Sequence, residues 1–227
     1  MIRENLERVR ASLPQGVTLV AVSKFHPAEM IAEAYQCGQR IFAESREAEF
    51  VQKVQTLPAD IEWHFIGHLQ TNKVRQVVPY AAMIQSVDSE RLLDEIERQM
   101  QKCGRQSIDV LLQLHVAQEE SKSGFTPDEV LLLLNNTRAQ ERWPHIRLRG
   151  VMGMASFVDD AEQWRREFRR IVACHKALVE GPLKAQGITA SQFSILSFGM
   201  SEDYGVAVQE GSNMVRVGTS IFGPRNY

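Results

Sequence analysis

A lysine follows directly on an apolar, β-rich run: Val17 to Ser23 reads VTLVAVS, and Lys24 comes next. Such a run suits a strand buried on both faces, as in a parallel sheet. It would carry the lysine to the edge of a dry core, where desolvation favours the neutral amine. A neutral amine can add to an aldehyde and form a Schiff base. The same position also suits a lysine that buries its stem and snorkels its head into water. Position alone leaves both readings open.

Two later segments bear on that choice. Ser197-Phe198-Gly199-Met200-Ser201-Glu202 and Arg216-Val217-Gly218-Thr219-Ser220 each lead from an apolar run into glycine and hydroxyl residues. Glycine lets backbone approach an anion, and hydroxyls and N–H groups then donate to it. Each segment alone could equally be a turn capped by Ser or Thr. Arg216 lies inside the last apolar run, and a buried arginine needs an acceptor. A carboxylate is one candidate. The ring nitrogen of a bound pyridine is another, which would keep that nitrogen unprotonated and weaken the ring as an electron sink. In Trp63-His64-Phe65-Ile66-Gly67-His68, strand alternation sets His64 and Ile66 opposite Phe65. His64 either approaches a ligand or is satisfied within the core.

These residues are positioned by a repeated alternation. Strands are predicted at Val17–Ser23, Arg40–Ala43, Ile61–Ile66, Ala82–Ser86, Ile108–Val116, Ile146–Met152, Phe193–Phe198 and Met214–Val217. Helices are predicted between them, at 27–37, 47–57, 70–78, 89–103, 126–138, 160–180 and 202–210. Ser89 is placed as an N-cap, Thr126 with Glu129 as a capping pair ahead of Pro127, and Gly181-Pro182 as the stop of the long helix. Leu6, Val9 and Leu13 add a helix in front, closed by Pro14 and Gly16. Eight strands alternating with helices imply right-handed βαβ units and a parallel sheet. The expected fold is α/β, a single (β/α)8 TIM-type barrel with an extra N-terminal helix, spanning residues 1–227 as one domain. An open doubly wound sheet is the competitor, but no GxGxxG follows the first strand. In a barrel the first strand abuts the eighth, so both glycine–hydroxyl turns arrive beside Lys24. The loops after strands seven and eight are also those that most often hold phosphate in this fold.

Composition excludes several classes. The net charge is -2 over 227 residues, unlike the basic domain of a nucleic-acid binder. Arg165, Arg166, Arg169 and Arg170 stand among Glu162 and Glu167 and read as a solvated helix face. Cys37, Cys103 and Cys174 have neither disulfide nor zinc spacing. No metal site is expected. No apolar run is long enough to span a bilayer, and the polar N-terminus is no signal peptide. A cytoplasmic protein is expected.

The segments AVSK at 21–24, WHFIGHLQTNK at 63–73, SKSG at 121–124, RGVMGM at 149–154, FGMSEDY at 198–204 and MVRVGTSIFGPRNY at 214–227 together resemble the pyridoxal phosphate homeostasis protein family. These are barrels similar to the N-terminal domain of alanine racemase. The resemblance implies pyridoxal 5′-phosphate (PLP) as a Schiff base on Lys24, with phosphate at Ser201, Gly218 and Thr219 and with Arg216 at the pyridine nitrogen. Met200, His64 and Ser45 complete the set of cofactor-binding candidates, and no catalytic residue is assigned. The resemblance also implies a carrier that buffers PLP without established turnover, with PLP-dependent apoenzymes as partners and a monomeric state. The family has Gly-Glu-Asn after strand two, whereas this chain reads Ala43-Glu44-Ser45. Serine is shorter and lacks the amide, so a contact through that asparagine is lost. The alternative is a racemase-like enzyme. A racemase carries a second domain that supplies a tyrosine, whereas here Tyr227 closely follows strand eight, so carriage of PLP is expected ahead of racemisation.

Overall fold

The computed structural model describes residues 1–117 and 123–224. Ser121 and Lys122 of the SKSG motif, and the C-terminal Arg225-Asn226-Tyr227, lie outside the described residues. Eight strands form the barrel: β1 Thr18–Val22, β2 Ile41–Glu44, β3 Glu62–Phe65, β4 Met83–Val87, β5 Ile108–Leu114, β6 Ile146–Gly153, β7 Ile195–Ser197 and β8 Met214–Val217. They pair in chain order, all parallel, and β1 closes on β8 with Val20 beside Arg216. The helices are α1 Ile2–Ser12, α2 Ala28–Gln36, α3 Glu47–Thr56, α4 Val74–Val77, α5 Glu90–Cys103, α6 Pro127–Asn136, α7 Ala139–Arg142, α8 Ala161–Leu178, α9 Tyr204–Gln209 and α10 Thr219–Phe222. The α/β barrel with its extra N-terminal helix is therefore the observed architecture. No helix among the described residues is long and apolar enough to cross a membrane.

Alternation along each strand divides the core into two layers. Val20, Val22, Ala43, Met83, Leu111, Met152 and Met214 pack inside the barrel. Ala21, Phe42, Phe65, Ile84 and Val215 point outward into the larger core beneath the helices. Helix α1 buries Leu6 and Val9 and packs against α2 and α10. It therefore holds the segment that follows β8.

Local signals place several boundaries. Ser89 accepts from the Leu92 N–H, and Gly104 ends α5 in the left-handed region. Thr126 and Glu129 form a reciprocal capping box with Pro127 in the first turn of α6. Other boundaries differ from expectation. The predicted stop at Gly181-Pro182 is a kink: Gly181 leaves helical angles, and helical winding resumes at Pro182. A proline needs no N–H partner at the start of a new turn, so Pro182 is tolerated there. Strand β7 covers three residues and pairs with β6 only from Gly150 to Met152. The short helices α7 and α10 escape prediction because four residues carry no periodicity.

The arginine run on α8 is a largely exposed face, as expected, and it also ties neighbouring elements together. Arg165 and Arg169 both bond Glu210, just beyond α9, at 2.9 and 2.8 Å. Arg170 donates to the Val116 carbonyl oxygen at 2.9 Å.

Candidate functional site

A cavity of about 200 Å³ opens at the C-terminal mouth of the barrel, beside the ends of β1, β6, β7 and β8. Lys24, Met200, Ser201, Arg216, Gly218 and Thr219 all line it. These residues come from the end of β1, the turn after β7, and β8 with the turn that follows it, and barrel closure brings the first to the other two. Two candidates do not reach it. His64 lies within the barrel, and Ser45 has its carbonyl oxygen close against Gly67, where an added Cβ would approach it to 2.0 Å. The sequence reasoning missed Val22, Ile66 and Trp164, which with Met154 make an apolar wall. Strand parity could have found Val22 and Ile66, since both share the inward face.

The turns after β7 and β8 are tied to each other. Ser201 Oγ accepts from the N–H groups of Gly218 and Ser220, at 3.2 and 3.4 Å. An added Cβ at Gly218 would stand 3.0 Å from the Val22 carbonyl oxygen. Glycine therefore lets the end of β8 lie close against β1. The turn holding Ser201 is fixed by Asp203, which accepts from the Met200 N–H at 2.5 Å. Burial raises the Asp203 carboxyl above its ordinary range. The result is a concave set of N–H and hydroxyl groups from two loops, suited to an anion.

Arg216 is buried and forms no ion pair among the described residues. Nη1 donates to the Ser197 carbonyl oxygen and hydroxyl at 2.8 and 2.7 Å, and Nη2 to the Gly153 carbonyl oxygen at 2.9 Å. Nε makes no hydrogen bond among the described residues and is left as a donor. Desolvation lowers its pKa to about 10, with Asp203 opposing that shift. Arg216 thus stays charged at neutral pH, held by uncharged oxygens at the cavity wall.

A polar string runs from Arg216 across the barrel. Ser197 Oγ donates to Gln85 Oε1 at 2.7 Å, and Gln85 Nε2 lies 2.8 Å from His64 Nδ1. Because the Gln85 amide oxygen is taken by Ser197, its nitrogen donates to Nδ1, and the His64 proton sits on Nε2. Burial lowers the His64 pKa to about 4, so the ring is neutral. His64 is satisfied within the core, as one of its two readings allowed.

The loop carrying Lys24 is fastened from behind. Lys53 on α3 is buried and donates to the Ser23 carbonyl oxygen, Glu44 Oε1 and Glu49 Oε1 at 2.8, 2.7 and 2.6 Å. Ser23 Oγ also donates to Glu44 Oε1, at 2.6 Å. Burial pushes Glu44 up to about 7 against the pull of Lys53, and Glu44 Oε2 is buried without a hydrogen-bond partner among the described residues. The i, i+4 spacing of Glu49 and Lys53 was the available sequence signal.

Fold and site define a parallel β/α barrel with a lysine, a buried guanidinium and two turns rich in glycine and hydroxyl groups at one mouth. The sequence model described as alanine racemase, N-terminal domain, matches residues 1–226. A relative from Haemophilus influenzae, named pyridoxal phosphate homeostasis protein, is 37% identical over 93% of this chain and 86% of its own length. The chain belongs to the pyridoxal phosphate homeostasis protein family. The structure of PipY from Synechococcus elongatus without PLP is 34% identical and superposes with a TM-score of 0.87, over 98% of this chain and 100% of that one. The PLP-bound structure of the same protein is 33% identical with a TM-score of 0.82 and the same coverage.

Proposed function

We propose that this chain binds PLP at the barrel mouth, with Lys24 as the covalent anchor, and acts as a reversible store that delivers it. The convergence of an amine, a guanidinium and an anion cradle in one cavity carries this reading. The residues fit the group. The hydroxyls of Ser201 and Thr219 suit a phosphate ester, and Ser201 Oγ, which accepts from the Gly218 and Ser220 N–H groups, keeps its own proton to donate to the anion. Arg216 Nε offers a donor to a ring nitrogen, and Met200 and the apolar wall suit a flat ring. Lys24 Nζ adds to the aldehyde carbon, the C=N bond forms, and the carbonyl oxygen leaves as water; water reverses the step. When bound, PLP supplies an aldehyde and an electron-withdrawing ring. An arginine at the ring nitrogen leaves that ring unprotonated, which favours holding over carbanion chemistry.

We further infer that residues 1–227 serve as one PLP-binding domain. It acts as a cytosolic monomer, and PLP-dependent apoenzymes are its recipients. The family membership supports the first role, and a bond that water reverses is compatible with transfer to apoenzymes.

The test is a spectrum and a mass. PLP added to the purified protein should give a visible absorption band, and borohydride should fix one PLP per chain on Lys24. Lys24→Ala should show neither. An adduct that persists on another lysine overturns the assignment, and racemisation of a free amino acid that is lost in Lys24→Ala overturns the carrier reading.

A further inference from the structure

Lys24 stands between two peptide groups that are each tied to charged side chains outside the cavity. On one side, the Ser23 carbonyl oxygen accepts from Lys53. On the other, the Phe25 N–H donates to Glu49 Oε1 at 2.7 Å. Lys53 joins the two sides, because it also donates to Glu49 and to Glu44, which holds the Ser23 hydroxyl. An ammonium has three hydrogens, and these contacts use all three.

Phe25 is the residue this arrangement strains. Its φ is 67°, the one left-handed value at a non-glycine position among the described residues. A bulky side chain is disfavoured there and persists where its surroundings over-determine it. Arg46 covers the Phe25 ring at 4.5 Å, and Glu49 fixes its N–H. Strain of this kind concentrates where a neighbouring side chain must be aimed.

The charged group itself needs a reason. Lys53 is 5% exposed and Glu44 is fully buried. A buried ion pair is a poor source of stability compared with apolar residues of the same volume. None of the three charged residues lines the cavity. What they share is contact with the residues flanking Lys24.

We propose that Lys53, Glu49 and Glu44 are positioning residues for Lys24: they lock the 23–25 turn so that the Lys24 amine meets the aldehyde of a ligand seated in the phosphate cradle. This rests on Lys24 being the covalent anchor. The device acts on addition of Nζ to the aldehyde carbon with loss of water, and leaves phosphate capture to the loops after β7 and β8.

Two ligands separate these steps. Pyridoxine 5′-phosphate has the ring and phosphate but an alcohol in place of the aldehyde, so it reports seating alone. PLP reports seating and covalent capture. Glu49→Ala should bind pyridoxine 5′-phosphate within about twofold of wild type by calorimetry, whereas its rate of covalent capture of PLP, followed by absorbance, should fall at least tenfold. Glu44→Gln/Lys53→Met, which removes both buried charges together, should behave likewise. If the double variant lacks native near-ultraviolet dichroism, Glu49→Ala decides alone. Phe25→Gly in the Glu49→Ala background should recover part of the rate, since glycine adopts this φ without strain. Unchanged capture in Glu49→Ala, or equal losses for both ligands, overturns the proposal. Lys24→Ala is the control. An adduct formed without Lys24 defeats the anchor assignment, and an adduct on Lys24 whose rate ignores Glu49 defeats only the positioning role.

Discussion

The guanidinium of Arg216 grips Ser197 twice, at its carbonyl oxygen and at its hydroxyl, from the neighbouring strand of the barrel. The same guanidinium reaches across to the Gly153 carbonyl oxygen on β6. One side chain therefore fastens three strand ends around the cavity. Arg216→Met should strand three buried acceptors, and each such loss costs about 1–3 kcal/mol. Release from desolvating a cation offsets part of this, so a net loss of about 2 kcal/mol is expected in urea unfolding. PLP affinity should fall at least tenfold in the same variant.

Two buried groups give opposed pH dependences. His64 has its folded pKa lowered to about 4. Its contribution is fully present above about 6.5, its unfolded value, and is lost as pH falls towards 4. Glu44 has its folded pKa raised to about 7 from 4.5. Its contribution is fully present below 4.5 and is lost as pH rises through 7. Each spans about 3 kcal/mol at most, with opposite sign over nearly the same window. Wild-type stability should therefore vary little between pH 5 and 6.5. His64→Gln should become less stable as pH rises through that window, and Glu44→Gln more stable, by denaturant midpoints at each pH. Parallel slopes in all three proteins would refute the assignment.

Ser201→Ala should separate the cradle from the anchor. It removes the hydroxyl that joins the Gly218 and Ser220 N–H groups, but leaves both N–H groups free to bind an anion. Pyridoxine 5′-phosphate should bind about tenfold more weakly, which is the usual worth of one charge-assisted hydrogen bond. PLP trapped by borohydride at saturating concentration should still reach one per chain.

Gly150 tests the barrel wall. A Cβ there would lie 1.9 Å from the Ile195 carbonyl oxygen, on the paired strand β7. Backbone stands on both sides of that contact, so no side chain can yield. Gly150→Ala should destabilise the fold by about 3 kcal/mol or more, at the upper end of the ~1–3 kcal/mol typical of forced overpacking, because both contacting atoms are backbone. The thermal midpoint should drop without any change in the surface chemistry of the site.

Much of the architecture was legible from local pattern. The eight apolar runs, the N-cap Ser89 and the capping pair Thr126 and Glu129 each depend on neighbours within a few residues. Lys24 and the two glycine–hydroxyl turns were visible because strand ends in this fold face one mouth. Boundaries faltered where tertiary contact overrides local preference, as at Gly181 and at the short strand β7.

The order of strands and helices, and the residues at their C-terminal ends, follow from periodicity, capping and chain order along the chain. Where those side chains meet follows from closure of the barrel. Barrel closure set Val20 beside Arg216 and brought Lys24 to the cradle, and it satisfied His64 through Gln85 below the cavity. It also buried Lys53 against the turn that carries Lys24. Such contacts join residues up to nearly two hundred positions apart, and no local propensity records a pairing at that range.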